Sequence, residues 1–158
     1  MAHLDIPIPI RWTDLDGYQH VNNTTFLRLL EEARIQAFWA PSAAQQELGA
    51  IAYPTAVPEI SPDGPFRTFV ASNRIEYLRQ LGYRRDGVIV RLWLSKVGRA
   101  SLDVDYEILT RDEMDSPYAK ARSVLVLIDA TTGAPTRIPD SLREGLDPFT
   151  DEPLSFRG

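Results

Sequence analysis

Ile6, Ile8, Ile10 and Trp12 alternate with Pro7, Pro9 and Arg11, the two-residue period of a strand with one buried face. Pro7 and Pro9 aim their nitrogen positions at the same side of that strand, and neither carries an N–H. No strand can pair there, so the segment is predicted to be a sheet edge. A polar loop follows, and Asn22-Asn23-Thr24-Thr25 then offers the side-chain acceptors that begin helices. Phe26, Leu29, Leu30, Ala33, Ala37 and Phe38 recur at three- and four-residue spacing, with Arg28, Glu31, Glu32, Arg34 and Gln36 mostly on the other side. This predicts a helix of roughly twenty residues. Pro41 kinks or ends it, and residues 42–48 are a candidate continuation before Gly49.

Residues 53–67 carry Pro54, Pro58, Pro62, Gly64 and Pro65 and read as a crossing loop within one domain. Four strand-like segments come next, at 70–78, 88–96, 101–109 and 119–128. Val88, Val90, Leu92 and Leu94 share a face against Ile89, Arg91, Trp93 and Ser95. Leu102, Val104, Tyr106 and Ile108 oppose Ser101, Asp103, Asp105 and Glu107. Gly82, Asp86-Gly87, Gly98, residues 111–117 and Thr132-Gly133 mark the turns, and the short connections imply an antiparallel meander. Pro139-Asp140-Ser141 followed by Glu144 resembles a capping box for a short terminal helix. One strand, one long helix and four antiparallel strands make the class α+β, with the helix covering one sheet face.

The chain of 158 residues fits a single domain spanning 1–158, and 44% hydrophobic residues suffice for one core. A formal net charge of -5 argues against a general nucleic-acid binder but leaves room for local cations that hold phosphates. With no cysteine, disulfides, thiolate metal sites and cysteine nucleophiles are excluded. Met1-Ala2-His3-Leu4-Asp5 lacks the basic and apolar regions of a secretory signal, and no apolar run reaches the ~18 residues of a membrane span. No membrane partner and a cytoplasmic location are the resulting expectations.

Chemistry concentrates in residues 12–23, Trp-Thr-Asp-Leu-Asp-Gly-Tyr-Gln-His-Val-Asn-Asn, between a strand end and a helix start. Unpaired N–H groups and the positive dipole end of the first helical turn would stabilise an oxyanion formed there. A neighbouring carboxylate would attack a carbonyl or deprotonate a water. Thioester hydrolysis needs only these parts and a pocket, with no metal or redox cofactor. From the residues alone the segment reads equally well as an ordinary strand-to-helix turn, with Asn22 simply an N-cap.

Asp14-Leu15-Asp16-x-x-Gln19-His20-Val21-Asn22-Asn23 resembles the signature of hot-dog-fold thioesterases, in the 4-hydroxybenzoyl-CoA thioesterase-like and plant acyl-ACP thioesterase-like branches. Residues 73–77 (Asn-Arg-Ile-Glu-Tyr) resemble the family's second strand, residues 95–101 resemble its hairpin, and the order of elements agrees from about residue 5 to 145. The resemblance implies a five- to six-stranded antiparallel sheet wrapped around one long helix. It also implies hydrolysis of an acyl or aryl thioester to free acid and CoA. By position Asp16 stands for the catalytic carboxylate, as nucleophile or general base. The amide of Asn23, or of a neighbour in the first helical turn, stands for the oxyanion donor, and His20 for a further catalytic group. Tyr18 and Asn22 are implied near the substrate, and Asp14 is expected to bond loop amides. The plant-type branch has asparagine two residues after the aspartate; Tyr18 in that place favours acyl-CoA over an acyl carrier protein. CoA enters as part of the substrate; no metal or other cofactor is expected.

Around Gly98, Lys96, Arg99 and Ser101 are candidates for the CoA phosphates, equally readable as a solvated turn. Arg84, Arg85 and Arg122 are weaker candidates. Glu31 and Glu32 would offer a second carboxylate, but Arg28 and Arg34 at three-residue spacing favour surface ion pairs. Trp93, Ile89, Val124, Val126 and Ile128 fall on the register away from the helix and suggest a second apolar surface. With the resembled family this implies a homodimer or homotetramer. The alternatives that share the fold are a non-catalytic acyl-CoA-binding module, an acyl-ACP thioesterase, and a hydratase or dehydratase, whose arrangement of histidine and acid is not found here.

Overall fold

A computed structural model describes residues 2–157; Met1 and Gly158, the two ends of the expected domain, lie outside them. Five antiparallel strands form one sheet: β1 (Leu4–Ile8), β2 (Phe66–Tyr77), β3 (Val88–Val97), β4 (Ser101–Leu109) and β5 (Ala119–Asp129). Their spatial order is β1-β3-β4-β5-β2. The helix α1 (Asn23–Phe38) packs on one face, and two short helices, α2 (Ala43–Glu47) and α3 (Asp140–Leu146), lie in the connections.

The first strand is at the edge, as the prolines require, and pairs only with β3, from Leu4 opposite Leu92 to Ile8 opposite Val88. It is shorter than its alternation suggests. A one-turn 3-10 helix at Trp12–Asp14 bends the chain after Ile10, so Trp12 does not follow Ile6, Ile8 and Ile10 into the core. It is 67% exposed and meets Tyr83 edge-on. The meander holds for β3, β4 and β5 but not for β2. Because β1 occupies the free edge of β3, β2 crosses the molecule and pairs with β5, from Phe66 opposite Asp129 to Tyr77 opposite Ala119. Beyond Phe66, whose N–H donates to Glu59 O at 3.2 Å, the other edge of β2 is unpaired among the described residues.

α1 buries Phe26, Leu29, Leu30, Ala33, Ala37 and Phe38, the stripe read from the spacing. These meet Ile6, Val90, Leu92 and Tyr106 in one core, where each large side chain contributes about 1.5–3 kcal/mol. The helix has 16 residues and stops before Pro41; Ser42 and Gln45 then cap each other to start α2 as a separate helix. At α3 the expected capping box does not form: Pro139 takes the N-cap position without a side-chain bond, and buried Leu142 and Leu146 anchor the helix.

The far face of the sheet is partly covered from within the chain. Residues 150–157 run across it: the Asp151 N–H donates to Leu94 O at 3.0 Å, and Trp93 Nε1 donates to Glu152 O at 3.0 Å. Phe156 lies under the guanidinium groups of Arg74 and Arg122. Trp93 is therefore buried; Ile89 is buried as well, while Val124, Val126 and Ile128 are half-buried. This corrects the reading of Trp93 as part of an unpartnered patch. Beside the tail a row of alternating charge, Asp5, Arg91, Glu107, Lys120 and Glu76, crosses all five strands.

Several surface aspartates depend on being ionised. Asp129 is held below the usual carboxylate range by the Thr132 and Thr131 amides, and Asp86 by the Arg84 guanidinium. Asp151 is lowered by the Glu152 amide and then by His3. A carboxylate whose folded pKa is depressed stabilises fully above its unfolded value and loses that contribution as pH falls through the folded one. The melting temperature is therefore expected to be flat above pH about 5 and to fall progressively below pH about 4. Asp129→Asn should make the acid limb shallower; an unchanged limb in thermal melts would refute that share.

Candidate active site

Between β1 and α1 the chain folds into a small hairpin. Asp16 N donates to His20 O across it at 2.8 Å, Gln19 N donates back to Asp16 O at 3.0 Å, and the Asn22 N–H reaches Asp14 O at 2.9 Å. Leu15 and Val21 bridge between them and pack toward the core. Gln19 closes the turn with φ 62, a left-handed conformation uncommon outside glycine and often found at functional sites. The hairpin is tied to the segment after β2, with Val21 N donating to Leu81 O at 2.7 Å.

This turn fixes Asp16. Its Oδ1 accepts from Tyr18 N at 2.8 Å and from His20 N at 3.3 Å. Oδ2 has no hydrogen-bond partner among the described residues. The carboxylate is thus oriented on one oxygen and uncommitted on the other. Asp14, by contrast, is buried and engaged: Oδ2 accepts from Arg11 N at 2.8 Å and Oδ1 from the Arg11 guanidinium at 3.2 Å.

Asn22 caps α1, its Oδ1 accepting from Thr24 N at 3.0 Å and Thr24 Oγ1 at 2.9 Å. The Asn23 N–H, first of the helix, makes no hydrogen bond among the described residues and stands at the positive end of the helix dipole. Tyr77, at the end of β2, donates its hydroxyl to Asn23 O at 2.8 Å and packs edge-on against Phe26. Burial pushes the Tyr77 phenol up, which keeps it a protonated donor. Nothing in the local sequence announced Tyr77, because it comes from a strand 54 residues away.

Asp16, His20, Asn22 and Asn23 are thus gathered on one hairpin and helix start. Tyr18 shares the hairpin but points outward, 84% exposed at its tip. Lys96, Arg99 and Ser101 lie elsewhere. β1 reaches the hairpin from Ile8, opposite Val88, whereas the 96–101 turn sits at the other end of β3, a separation of about 30 Å along the strand. Within one chain these residues do not join the Asp16 site. Lys96 and Arg99 are exposed, and the carbonyls of Val97 and Gly98 accept from Arg143. Of the weaker candidates, Arg84 is paired with Asp86 and Asp112, and Arg122 with Asp105. Among the described residues no three His, Cys, Asp or Glu side chains come together as a metal site.

An antiparallel sheet closed over one long helix, with a polar strand-to-helix loop at the helix start, defines a hot-dog-fold protein. The model of the thioesterase-like superfamily matches residues 10–146, and the chain belongs to that superfamily. Among solved structures, a thioesterase from Thermus thermophilus complexed with coenzyme A and Zn is 30% identical, over 90% of this chain and 95% of that one, with a TM-score of 0.64. A protein from Bacillus stearothermophilus, described as a predicted thioesterase, is 26% identical over 96% and 99% of the two chains, with a TM-score of 0.70. The 1,4-dihydroxy-2-naphthoyl-CoA thioesterase from Synechocystis, at 18% identity, 92% and 96% coverage and a TM-score of 0.67, shows the shared fold alone. No curated protein matches the chain.

Proposed function

We propose that the protein hydrolyses an acyl-CoA thioester at the Asp16 hairpin. The observation that carries the reading is the pairing of a carboxylate with one uncommitted oxygen and a helix-start amide with no partner on a single rigid loop. In this reading the thioester carbonyl accepts from the Asn23 N–H, and Asp16 attacks it or takes a proton from a water that does. The tetrahedral oxyanion is stabilised by a donor already in place, usually the largest catalytic term. Collapse expels the CoA thiolate and leaves a free acid or an acyl-aspartate that water then cleaves. CoA fits as part of the substrate, in line with the coenzyme A held by the Thermus thermophilus relative.

Gly17, Tyr18 and Gln19 are exposed and leave the site open in one chain, and Asp16 does not line the cavities along α1. A second copy supplies the missing wall in this proposal. The edge of β2 beyond Phe66, with Phe69 60% exposed, suits edge-to-edge pairing in a homodimer. Tyr77 then places each Asn23 beside that seam.

The test is turnover of a panel of alkanoyl- and aroyl-CoAs by the purified protein, with released thiol trapped by a chromogenic reagent. No turnover above background for any of them refutes the reading and leaves the non-catalytic binding module, which titration with a non-hydrolysable CoA analogue would reveal. His20 has a supporting place: its side chain makes no hydrogen bond among the described residues, while its backbone holds Asp16. His20→Ala is expected to lower kcat about tenfold. Complete loss of activity in that variant would make the imidazole a primary catalyst.

A further inference from the structure

Resting on the thioesterase reading and naming the acyl class it would take, we infer that the seam between α1 and β2 binds acyl groups ending in a carboxylate, held by Arg34. Two cavities meet in that seam. One of about 210 Å³ is lined by Arg34, Phe38, Thr68, Val70, Leu142 and Leu146 among others. The second, about 230 Å³, takes in Leu27, Leu30 and Asn73 toward the helix start. Arg34, Glu31 and Val70 belong to both. Each exceeds the volume of about 150 Å³ that accommodates benzene in an apolar protein cavity.

Arg34 is unusual in this lining. Its side chain is 13% exposed, yet it is paired with a carboxylate only at the limit of an ion pair. Glu31 approaches only to 4.0 Å, beyond hydrogen-bond reach, and is itself 62% exposed. The single hydrogen bond Arg34 makes among the described residues is from Nη1 to Tyr106 Oη, at 3.2 Å. Tyr106 is fully buried on β4, and its own hydroxyl proton has no acceptor among the described residues. A cation largely withdrawn from water, whose one nearby anion stands at 4.0 Å and mostly in solvent, is poorly compensated, and a ligand carboxylate matches its planar fork. A ligand carboxylate would receive guanidinium N–H bonds and the Tyr106 proton together.

The position suits the far end of an acyl chain. Arg34 lies eleven residues beyond Asn23, about 16 Å along the helix axis, and helical side chains lean back toward the N-terminus. A chain whose carbonyl rests at Asn23 and whose body follows Leu27, Leu30 and Val70 brings its last carbon to the guanidinium. A methyl end there would leave the cation only its loose, exposed pair with Glu31.

Calorimetry with the free acids tests this without turnover, and hydrolysis of the matching thioesters runs in parallel. Octanedioate is expected to bind at least tenfold tighter than octanoate, and octanedioyl-CoA to exceed octanoyl-CoA in kcat/KM by a similar factor. Arg34→Met should abolish or reverse both preferences while octanoate binding persists. Glu31→Gln, at an exposed position, should strengthen octanedioate binding by removing the competing anion, and it decides the matter if Arg34→Met does not fold. Equal binding of the two acids, or a preference that survives Arg34→Met, overturns the proposal. If no thioester is hydrolysed but the acids are discriminated as stated, the catalytic reading fails and the anion site stands.

Discussion

Asp16→Asn is expected to lower kcat for acyl-CoA hydrolysis by about 10²–10⁴-fold with KM little changed, because a positioned general base or nucleophile contributes on that scale. The substitution separates chemistry from architecture. Asp16 Oδ1 holds the turn through Tyr18 N and His20 N, and an asparagine oxygen can accept the same two bonds. What disappears is the negative charge and the uncommitted oxygen. The variant should therefore melt at the wild-type temperature, retain a non-hydrolysable CoA analogue and fail in turnover. The Asn23 amide would still polarise the carbonyl, so a small residual rate is expected above buffer. A wild-type rate in Asp16→Asn would remove the carboxylate from the mechanism and leave this hairpin a structural turn.

That the hairpin was legible at all follows from how local it is. The side chains of Asp16 and Asn22 act through bonds spanning four residues or fewer, so their spacing contains much of the geometry, while the Tyr77 bond to Asn23 does not show in it. The same holds for β3, β4 and β5, where alternation sets both boundaries and register. β2 was only partly visible. It starts at Phe66, four residues before the alternation at Val70 becomes readable, because Phe66 and Thr68 follow directly on the proline- and glycine-bearing loop. Its partner was not visible either, since nothing in its own residues distinguishes β3 from β5 as neighbour.

Long-range partnerships account for the rest. Arg34 looks like one half of a surface pair with Glu31, and only the sheet, 72 residues on, supplies the Tyr106 hydroxyl that draws it inward. Glu76 carries no hint that it accepts from Arg157 N, 81 residues later. Lys96, Arg99 and Ser101 show the converse: a basic turn has a recognisable composition, but its distance from Asp16 is set by strand direction. Burial of Trp93 likewise belongs to a tail whose residues have no hydrophobic period of their own.

Asp105 shows what that tail means for stability. By alternation it belongs to the polar face of β4 with Ser101, Asp103 and Glu107, yet it is fully buried. The Arg122 guanidinium grips both its oxygens at 2.6 and 2.7 Å, Ser95 Oγ donates at 2.8 Å, and Leu154 N, from the tail, at 2.7 Å. Arg122 in turn donates to Leu154 O and lies over Phe156. Its pKa is raised chiefly by the hydrogen bonds it donates to Asp105. Asp105→Ala leaves a partly buried cation and an unsatisfied tail amide, so a loss of about 3–5 kcal/mol is expected in urea unfolding. Residues 150–157 should also become open to limited proteolysis under native conditions. Replacing both partners, Asp105→Leu with Arg122→Leu, removes the charge problem and should recover most of that loss, because a buried pair exchanged for apolar side chains is often neutral. A single variant that loses less than about 1 kcal/mol would mean the tail and its cation are held by Phe156 and the backbone bonds to Leu94 instead, with the carboxylate a passenger.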